Sequence, residues 1–366
     1  GTAFERYIAN PLFAWNTSIG QWSNLTDFPV YDLKPERTNS FEVGMNMRFL
    51  KNFELDVTYY NAKTMNQTFN PELPVGEYAR IYIQTGAVRN QGLELALNYN
   101  NTWKDFTWNT GVTYSMNKNK ILTLADNAIN PITREKFSIS SLNMGGLGST
   151  RFILKEGGSM GDIYSLMDLK RDANGAVYID ENNSVVTESL EANNYIKLGS
   201  VLPKGNLAWR NNFSWKNINV AFLVSARLGG VVFSRTQAVL DNFGVSEASA
   251  AARDKGYVSV NGNDRVNPEG WYSVVAGGTA VPQYYIYSAT NIRLQEASIG
   301  YTIPRKWLGN VCDIKVSLIG RNLWMIYNKA PFDPESVAST DNFYQGIDYF
   351  MMPSLRNIGF NLSFKF

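Results

Sequence analysis

The chain has 366 residues, 44% of them apolar and 13% aromatic, with 18% charged and a net charge of +2. This composition excludes a disordered chain and gives no electrostatic case for nucleic acid. The sequence lacks histidine, the commonest general base and metal ligand, and its single cysteine, Cys312, excludes an internal disulfide or a cysteine-rich metal site. No run of apolar residues is long enough for a helical membrane span; strands of a membrane barrel, of roughly ten alternating residues, remain compatible. The opening GTAFERYIANPLFAW carries no initiator Met and no signal peptide, as expected of a processed or internal fragment.

Residues 1–35 lack a clean period and read as a rim or extracellular loop with at most one short strand. From Glu36 the pattern changes. Phe41, Val43, Met45, Met47 and Phe49 are in phase, Lys51-Asn52 forms a turn, and Phe53, Leu55, Val57 and Tyr59 then alternate with Glu54, Asp56 and Thr58. Two alternating runs about a short polar turn predict a hairpin. Glu54 and Asp56 would be costly against a dry core and cost little in a wet lumen. After a Pro/Gly loop at 70–79, Leu93, Leu95, Leu97 and Tyr99 oppose Glu94, Ala96 and Asn98. A second short turn at 102–105 leads to Phe106, Trp108, Thr110, Val112 and Tyr114 in phase.

Between about 119 and 190 the period fails, and it fails again between about 233 and 288; both stretches read as long loops. Strands are expected around 193–215, from Ile218 to Leu228, from Ile292 to the Ile303-Pro304 step, and through CDIKVSLIGRNL, where Ile314, Val316 and Leu318 face outward. The last strand alternates without a fault through Ile358, Phe360, Leu362, Phe364 and Phe366. About ten or more strands, with turns alternately short and long, predict an all-β transmembrane antiparallel barrel segment. Phe364 and Phe366 close it as an aromatic terminal strand.

Motifs for chemistry are weak. Gly157 to Gly161 lacks both the Gly-Lys-Ser/Thr of a phosphate loop and the strand–turn–helix setting of a dinucleotide site. KRDANGAVYIDE can be laid on a calcium loop, but Lys170 then occupies the first ligand position. No metal is therefore assigned, and Asp168, Asp172 and Asp180 are the residues to watch. Pairs such as Asp333 with Glu335 have no triad or raised-pKa context, so no enzyme is expected. Tyr257, Trp271, Tyr272, Tyr284 and Tyr285 are the substrate-facing candidates, because flat rings beside Asn and Asp suit a sugar or a peptide.

Several segments, in order, resemble the C-terminal part of a SusC/RagA-type TonB-dependent outer-membrane transporter. They are YDLKPERTNSFEVGMNMRF, GAVRNQGLELALNYN, GGSMGDIYSLM with RDANGAVYID, IKLGSVLPKGNLAWRNNFSWKNINVAFLVSARLGG, NIRLQEASIGYTIPRKWL, SLIGRNLWMIYNKAPFDPE and MMPSLRNIGFNLSFKF. The resemblance implies that residues 1–366 form the C-terminal part of a barrel of about 22 strands, with the plug domain outside this chain. It also implies active import of oligosaccharide or peptide, a SusD-like surface lipoprotein as lid, TonB contacted through the missing N-terminal part, a dimer of the transporter–lipoprotein pair, and Phe364 and Phe366 as the signal read by the barrel assembly machinery. No cofactor is implied in this chain; calcium in the partner or loops is left open. The alternatives are a passive porin and a soluble β-rich glycan-binding module. The soluble module would pack Leu93, Leu95, Val220, Phe222, Phe360 and Leu362 against a second sheet.

Overall fold

A computed structural model describes residues 35–69, 80–81, 83–129, 135–278, 280–309, 311–339 and 344–365, together with the strand segments 13–16, 21–24 and 27–28. Most of the 1–35 loop, the 70–79 loop and Phe366 lie outside the described residues. Nine strands form one sheet: β1 Arg37–Phe49, β2 Phe53–Phe69, β3 Ile83–Trp103, β4 Phe106–Thr123, β5 Gly205–Trp215, β6 Ile218–Leu228, β7 Asn291–Ile303, β8 Asp313–Asn328 and β9 Asn357–Lys365. Each pairs antiparallel with its sequence neighbour, so the sheet is an up-and-down meander. The expectation was about ten or more. The sheet is open among the described residues, since β1 pairs only with β2 and β9 only with β8.

Antiparallel order puts the turns after β1, β3, β5 and β7 at one end and the long excursions at the other. The expected turns at 50–52 and 102–105 are there, tightened by left-handed Leu50, Lys51 and Lys104. At about 3.4 Å per residue, the 21 residues of β3 extend for about 70 Å, far more than a tilted strand needs to cross a bilayer. The upper parts of β3 and β4 therefore belong to what lies above the wall.

Register carries the sequence alternation across the sheet. On one face Val57 lies opposite Leu95, Leu95 opposite Tyr114, and Tyr114 opposite Leu207. Farther along, Val220 meets Ile299, Ile299 meets Leu318, and Leu318 meets Phe360. Among the described residues no second sheet covers this face: Ile299 and Leu318 are each 54% exposed and Phe360 78%. Leu93, Leu95, Val220, Phe222, Phe360 and Leu362 all lie outside the buried clusters. The described residues thus lack the second sheet that the soluble-sandwich alternative calls for.

Near the short turns, rings of six successive strands touch in series: Phe49, Phe53, Tyr99, Trp108, Phe213 and Phe222, with centroids 4.7–6.2 Å apart. Such a belt suits an interfacial girdle, where an amphipathic ring meets both headgroup and hydrocarbon. Two polar side chains on this face are covered by indoles. Trp108 Nε1 donates to Asn211 Oδ1 and Trp209 Nε1 to Thr110 Oγ1, each at 3.1 Å.

The enclosed core lies above the wall, in a cap built from the stretches that read as loops. A four-stranded sheet joins Ser141–Leu147, Thr150–Lys155, Asp162–Ser165 and Ile196–Ser200. Three helices follow β6: α1 Arg235–Asn242, α2 Glu247–Lys255 and α3 Pro268–Val275. Phe152, Ile163, Leu169, Phe233, Val266, Val281 and Ile347 pack into one core, and Val88 of β3 and Ile121 of β4 join a second with Leu124, Leu142 and Leu154. The described residues of 119–190 and 233–288 are thus folded rather than structureless.

Candidate functional site

The polar face of the wall follows from the same register. Thr58 pairs with Glu94, Glu94 with Ser115, Ser115 with Asn206, and Asn206 with Arg227. These residues, with Asp56, Thr113, Ser225 and Glu335, line a hollow of about 530 Å³ beneath the cap. Glu335 reaches it from the segment between β8 and β9. That segment is fastened to the wall by Arg293, which contacts Asp333 at 3.0 Å and Glu335 at 3.1 Å and donates through Nε to Asn291 Oδ1 at 3.1 Å. Ser354 Oγ donates to Asp333 Oδ2 at 2.6 Å. Burial pushes the Asp333 carboxyl up, but the hydrogen bonds from Ser354, Arg293 and the Glu335 amide outweigh it and hold the group below its ordinary range. Arg227, Arg293, Asp333 and Glu335 look scattered in sequence; the meander brings them to one rim.

The helical part of the cap has start and stop signals in its own sequence. Ser234, Ser246 and Asn267 accept hydrogen bonds from the first-turn amides of α1, α2 and α3, and Pro268 opens α3. Gly256 ends α2 with φ 84°, and Arg253 and Lys255 lie at the negative end of its dipole. Sequence reasoning by hydrophobic period missed these helices, although Ser246-Glu247 before an alanine run and Asn267-Pro268-Glu269 were available signals.

The five aromatic candidates have different surroundings. The Tyr257 ring lies between Lys255 Nζ and the Arg265 guanidinium, each 4.3 Å from its centroid. Trp271 meets Tyr284 edge-on at 5.2 Å and packs against the larger core. Burial raises the Tyr284 hydroxyl pKa, with Arg171 opposing and Asp168 adding to the shift. Tyr285 is 2% exposed and donates to Asp241 Oδ2 at 3.0 Å; burial and that carboxylate push its pKa up. Its ring is part of the core. Tyr272 lines a second hollow of about 690 Å³ bounded by all three helices, and burial followed by the Asp241 charge raises its pKa.

The three aspartates watched for an ion are engaged locally. Asp172 Oδ1 accepts from the amides of Asn174 and Ala176, and Asp180 Oδ1 from those of Asn182 and Ser184, at 2.8–3.0 Å. Asp168 accepts from Arg171, Gln283 and the Leu169 amide. These are twin aspartate turns, and no cluster of metal-ligating side chains occurs among the described residues. The glycine loop is also a structural device. The Gly157 amide donates to Ile121 O, the Ile121 amide to Gly158 O, and the Met160 amide to Asn119 Oδ1, which ties the upper end of β4 to the cap sheet. Phe364 is outward on β9 and 54% exposed.

Residues 1–222 match the family model described as TonB dependent receptor-like, beta-barrel. TonB-dependent receptor P3 of Formosa agariphila is 26% identical over 93% of the chain, and TonB-dependent receptor P26 of the same organism is 27% identical over 90%. The chain spans about a third of the length of these curated relatives, 35% and 34% respectively. A solved RagAB peptide transporter superposes with a TM-score of 0.69 at 16% identity, over 96% of this chain and 38% of that one. The RagAB peptide importer in its closed-closed state gives 0.68 at 17%, over 97% and 38%. These likenesses extend to the fold. This chain belongs to the TonB dependent receptor-like, beta-barrel family, whose setting is the outer membrane.

Proposed function

We propose that residues 1–366 are the C-terminal part of a SusC/RagA-type transporter barrel that imports oligosaccharide or peptide across the outer membrane, driven through TonB. The observation that carries this reading is the reversed polarity of the nine-stranded sheet. Its apolar residues lie open on one side, and its carboxylates and hydroxyls line a hollow on the other. Hydrocarbon is the environment that such an uncovered face requires. Leu93, Leu95, Leu97 and Tyr99 then face lipid and Glu94 the lumen. Open strand edges do not occur in hydrocarbon, so the free sides of β1 and β9 take further strands of the same transporter. The plug occupies the lumen, and TonB acts on it through the N-terminal part. The cap is extracellular, the turns at 50–52 and 102–105 are periplasmic, and a SusD-like lipoprotein sits over the cap. The likeness to RagAB, a peptide transporter, supports the peptide option, and the aromatic residues of the cap support the sugar option.

Cysteine mapping tests this topology in whole cells making the full-length protein. In a Cys312→Ser background, Asn174→Cys is expected to react with a membrane-impermeant maleimide and Lys104→Cys only after the outer membrane is opened. The opposite pattern overturns the reading. Uptake that continues after the proton gradient is collapsed identifies a passive porin instead.

A further inference from the structure

A notch of about 580 Å³ opens on the apolar face of the wall, between β6 and β9. It follows from the register. One row on this face reads Phe222, Ala297, Gly320 and Ile358, so side-chain bulk falls to a methyl group and a hydrogen half-way along β7 and β8. The row below holds Val220, Ile299, Leu318 and Phe360, and the row above Val224, Leu294 and Trp324. A bulge sets the upper lip. Asn322 and Leu323 of β8 stand opposite Gln295 alone, with Asn322 left-handed at φ 51°. Asn322 donates to Leu355 O at 3.1 Å and accepts from Gln295 Nε2 at 3.2 Å, which holds the bulge in place. Leu323 folds back over the glycine: a Cβ on Gly320 would lie 2.5 Å from its Cδ2.

The lining side chains are hydrocarbon apart from Ser298, whose row belongs to the opposite face, and the Trp324 indole. Such a surface cannot satisfy the polar groups of a sugar or a peptide, so its occupant is an apolar chain. The upper end differs. Arg356 directly precedes β9 and Lys329 directly follows β8, both exposed, and Trp324 beside the notch is 63% exposed. The described carboxylates of the same β8–β9 connection, Asp333, Glu335 and Asp348, are engaged by Arg293 and Ser234. The open charges of that connection, among the described residues, are therefore positive. An apolar groove ending at an indole and a cation can seat a lipid tail and its phosphate together. We infer that the notch holds one acyl chain of a phosphorylated glycolipid of the outer leaflet, with Arg356 on its phosphate and Lys329 adding to the positive field above. The inference rests on the proposed function, which turns this face to lipid and the upper end of β8 to the cell surface.

The test uses the full-length transporter, stripped of lipid in detergent and titrated with lipid A or with phosphatidylethanolamine, bound lipid being counted by native mass spectrometry. A single lipid A is expected to be retained by each transporter chain, about tenfold more tightly than phosphatidylethanolamine. Ala297→Phe fills the notch without adding polarity and should weaken retention about tenfold, and Arg356→Ala should weaken it by a similar factor. Leu97→Phe puts the same ring on β3, away from the notch, and should leave retention unchanged. Unchanged heat-modifiable mobility on a gel shows that each variant is folded, and Ala297→Leu is the smaller filler where the ring prevents folding. Failure of the wild type to retain lipid A, wild-type retention in the folded filler variant or in Arg356→Ala, an equal loss in Leu97→Phe, or equal or tighter binding of phosphatidylethanolamine would each overturn the inference. The cysteine mapping is independent of this titration. A transporter that passes the mapping and retains no lipid A loses the notch site alone, whereas surface labelling at position 104 removes the topology beneath both proposals.

Discussion

In the wall, Ile299, Leu318 and Phe360 lie open on one side of a single sheet, whereas in the cap Phe152, Phe233 and Ile163 are wholly enclosed. Both regions belong to one continuous chain. They differ in what completes them. The cap has two layers and buries its apolar side chains against each other, so water suffices as its solvent. The wall has one layer and, in the proposed topology, leaves that task to lipid. The boundary between them is marked by ionic and backbone ties, Arg293 with Asp333 and Glu335 on one side and the glycine loop on β4 on the other.

The sharpest way to break this comparison is at the boundary. Arg293 and Asp333 are nearly enclosed, and removing one member leaves the other buried without its partner. Arg293→Ala is expected to destabilise the junction by about 3–5 kcal/mol. Thermal unfolding of the full-length protein in lipid nanodiscs, followed by protease cutting within residues 329–339, measures it. A loss confined to that segment with the wall intact would show the two regions to be separable. An unchanged profile would show that Arg293 does not join them.

The two faces of the wall are compared next. Leu95→Arg places a cation in hydrocarbon and should cost about 2–4 kcal/mol. Thr113→Lys, on the hollow side, should stay within about 0.5 kcal/mol. Urea titration in lipid separates them, and the reverse order would turn the sheet inside out. Gly92 adds a steric test on the hollow side. A Cβ there would lie 2.3 Å from the Met116 carbonyl oxygen and 2.5 Å from the Tyr60 ring. Gly92→Ala should therefore open the β3–β4 pairing, by about 1–3 kcal/mol for an overpacked site.

Asp333 provides a pH test of the junction. Its folded pKa lies below the ordinary 3.8, so its contribution is complete above that value and is lost as pH falls through the lower folded value. Asp333→Asn should reduce the unfolding midpoint at about pH 6, with the gap to wild type closing as pH falls below about 4. A gap that persists at lower pH would show that the charge of Asp333 is not what fastens the segment.

The wall was legible in the sequence because period two is a local property. Leu93, Leu95 and Leu97 alternate with Glu94, Ala96 and Asn98 whatever strand lies beside them, and a sheet with one apolar and one polar face keeps that phase pure. Bulges between Leu223 and Val224, and within β7 near Leu294, disturb it only briefly. The cap was not legible. Its strands Met167–Leu169 and Thr187–Ser189 are three residues long, and its helices have eight or nine. Elements so short draw their apolar contacts from distant segments, as when Phe152 and Phe233 join one core. Tyr285 shows the same limit at the level of a side chain. A tyrosine among polar loop residues reads alike whether its ring meets a ligand or, as here, the core and Asp241.

The smallest effect is expected in the arm between Leu166 and Leu190, whose turn residues 172–175 and 181–183 are exposed. Asp172 and Asp180 head two successive turns of the same build. In each, one carboxylate oxygen receives two backbone amides, and the third position after the aspartate, Gly175 or Asn183, takes a left-handed conformation. Both hydrogen-bond sets satisfy amides that otherwise face each other across a tight reversal. Asp180→Ala should loosen its turn by about 1 kcal/mol, and faster amide exchange at Asn182 and Ser184 should report it. Asp172→Ala should do the same at Asn174 and Ala176, leaving the wall strands unaffected. If these carboxylates instead held an ion, added calcium would slow exchange in the wild-type arm and either alanine would abolish that protection. Turns satisfied by their own backbone predict no calcium dependence, so one exchange experiment with and without calcium distinguishes a structural turn from a ligand set.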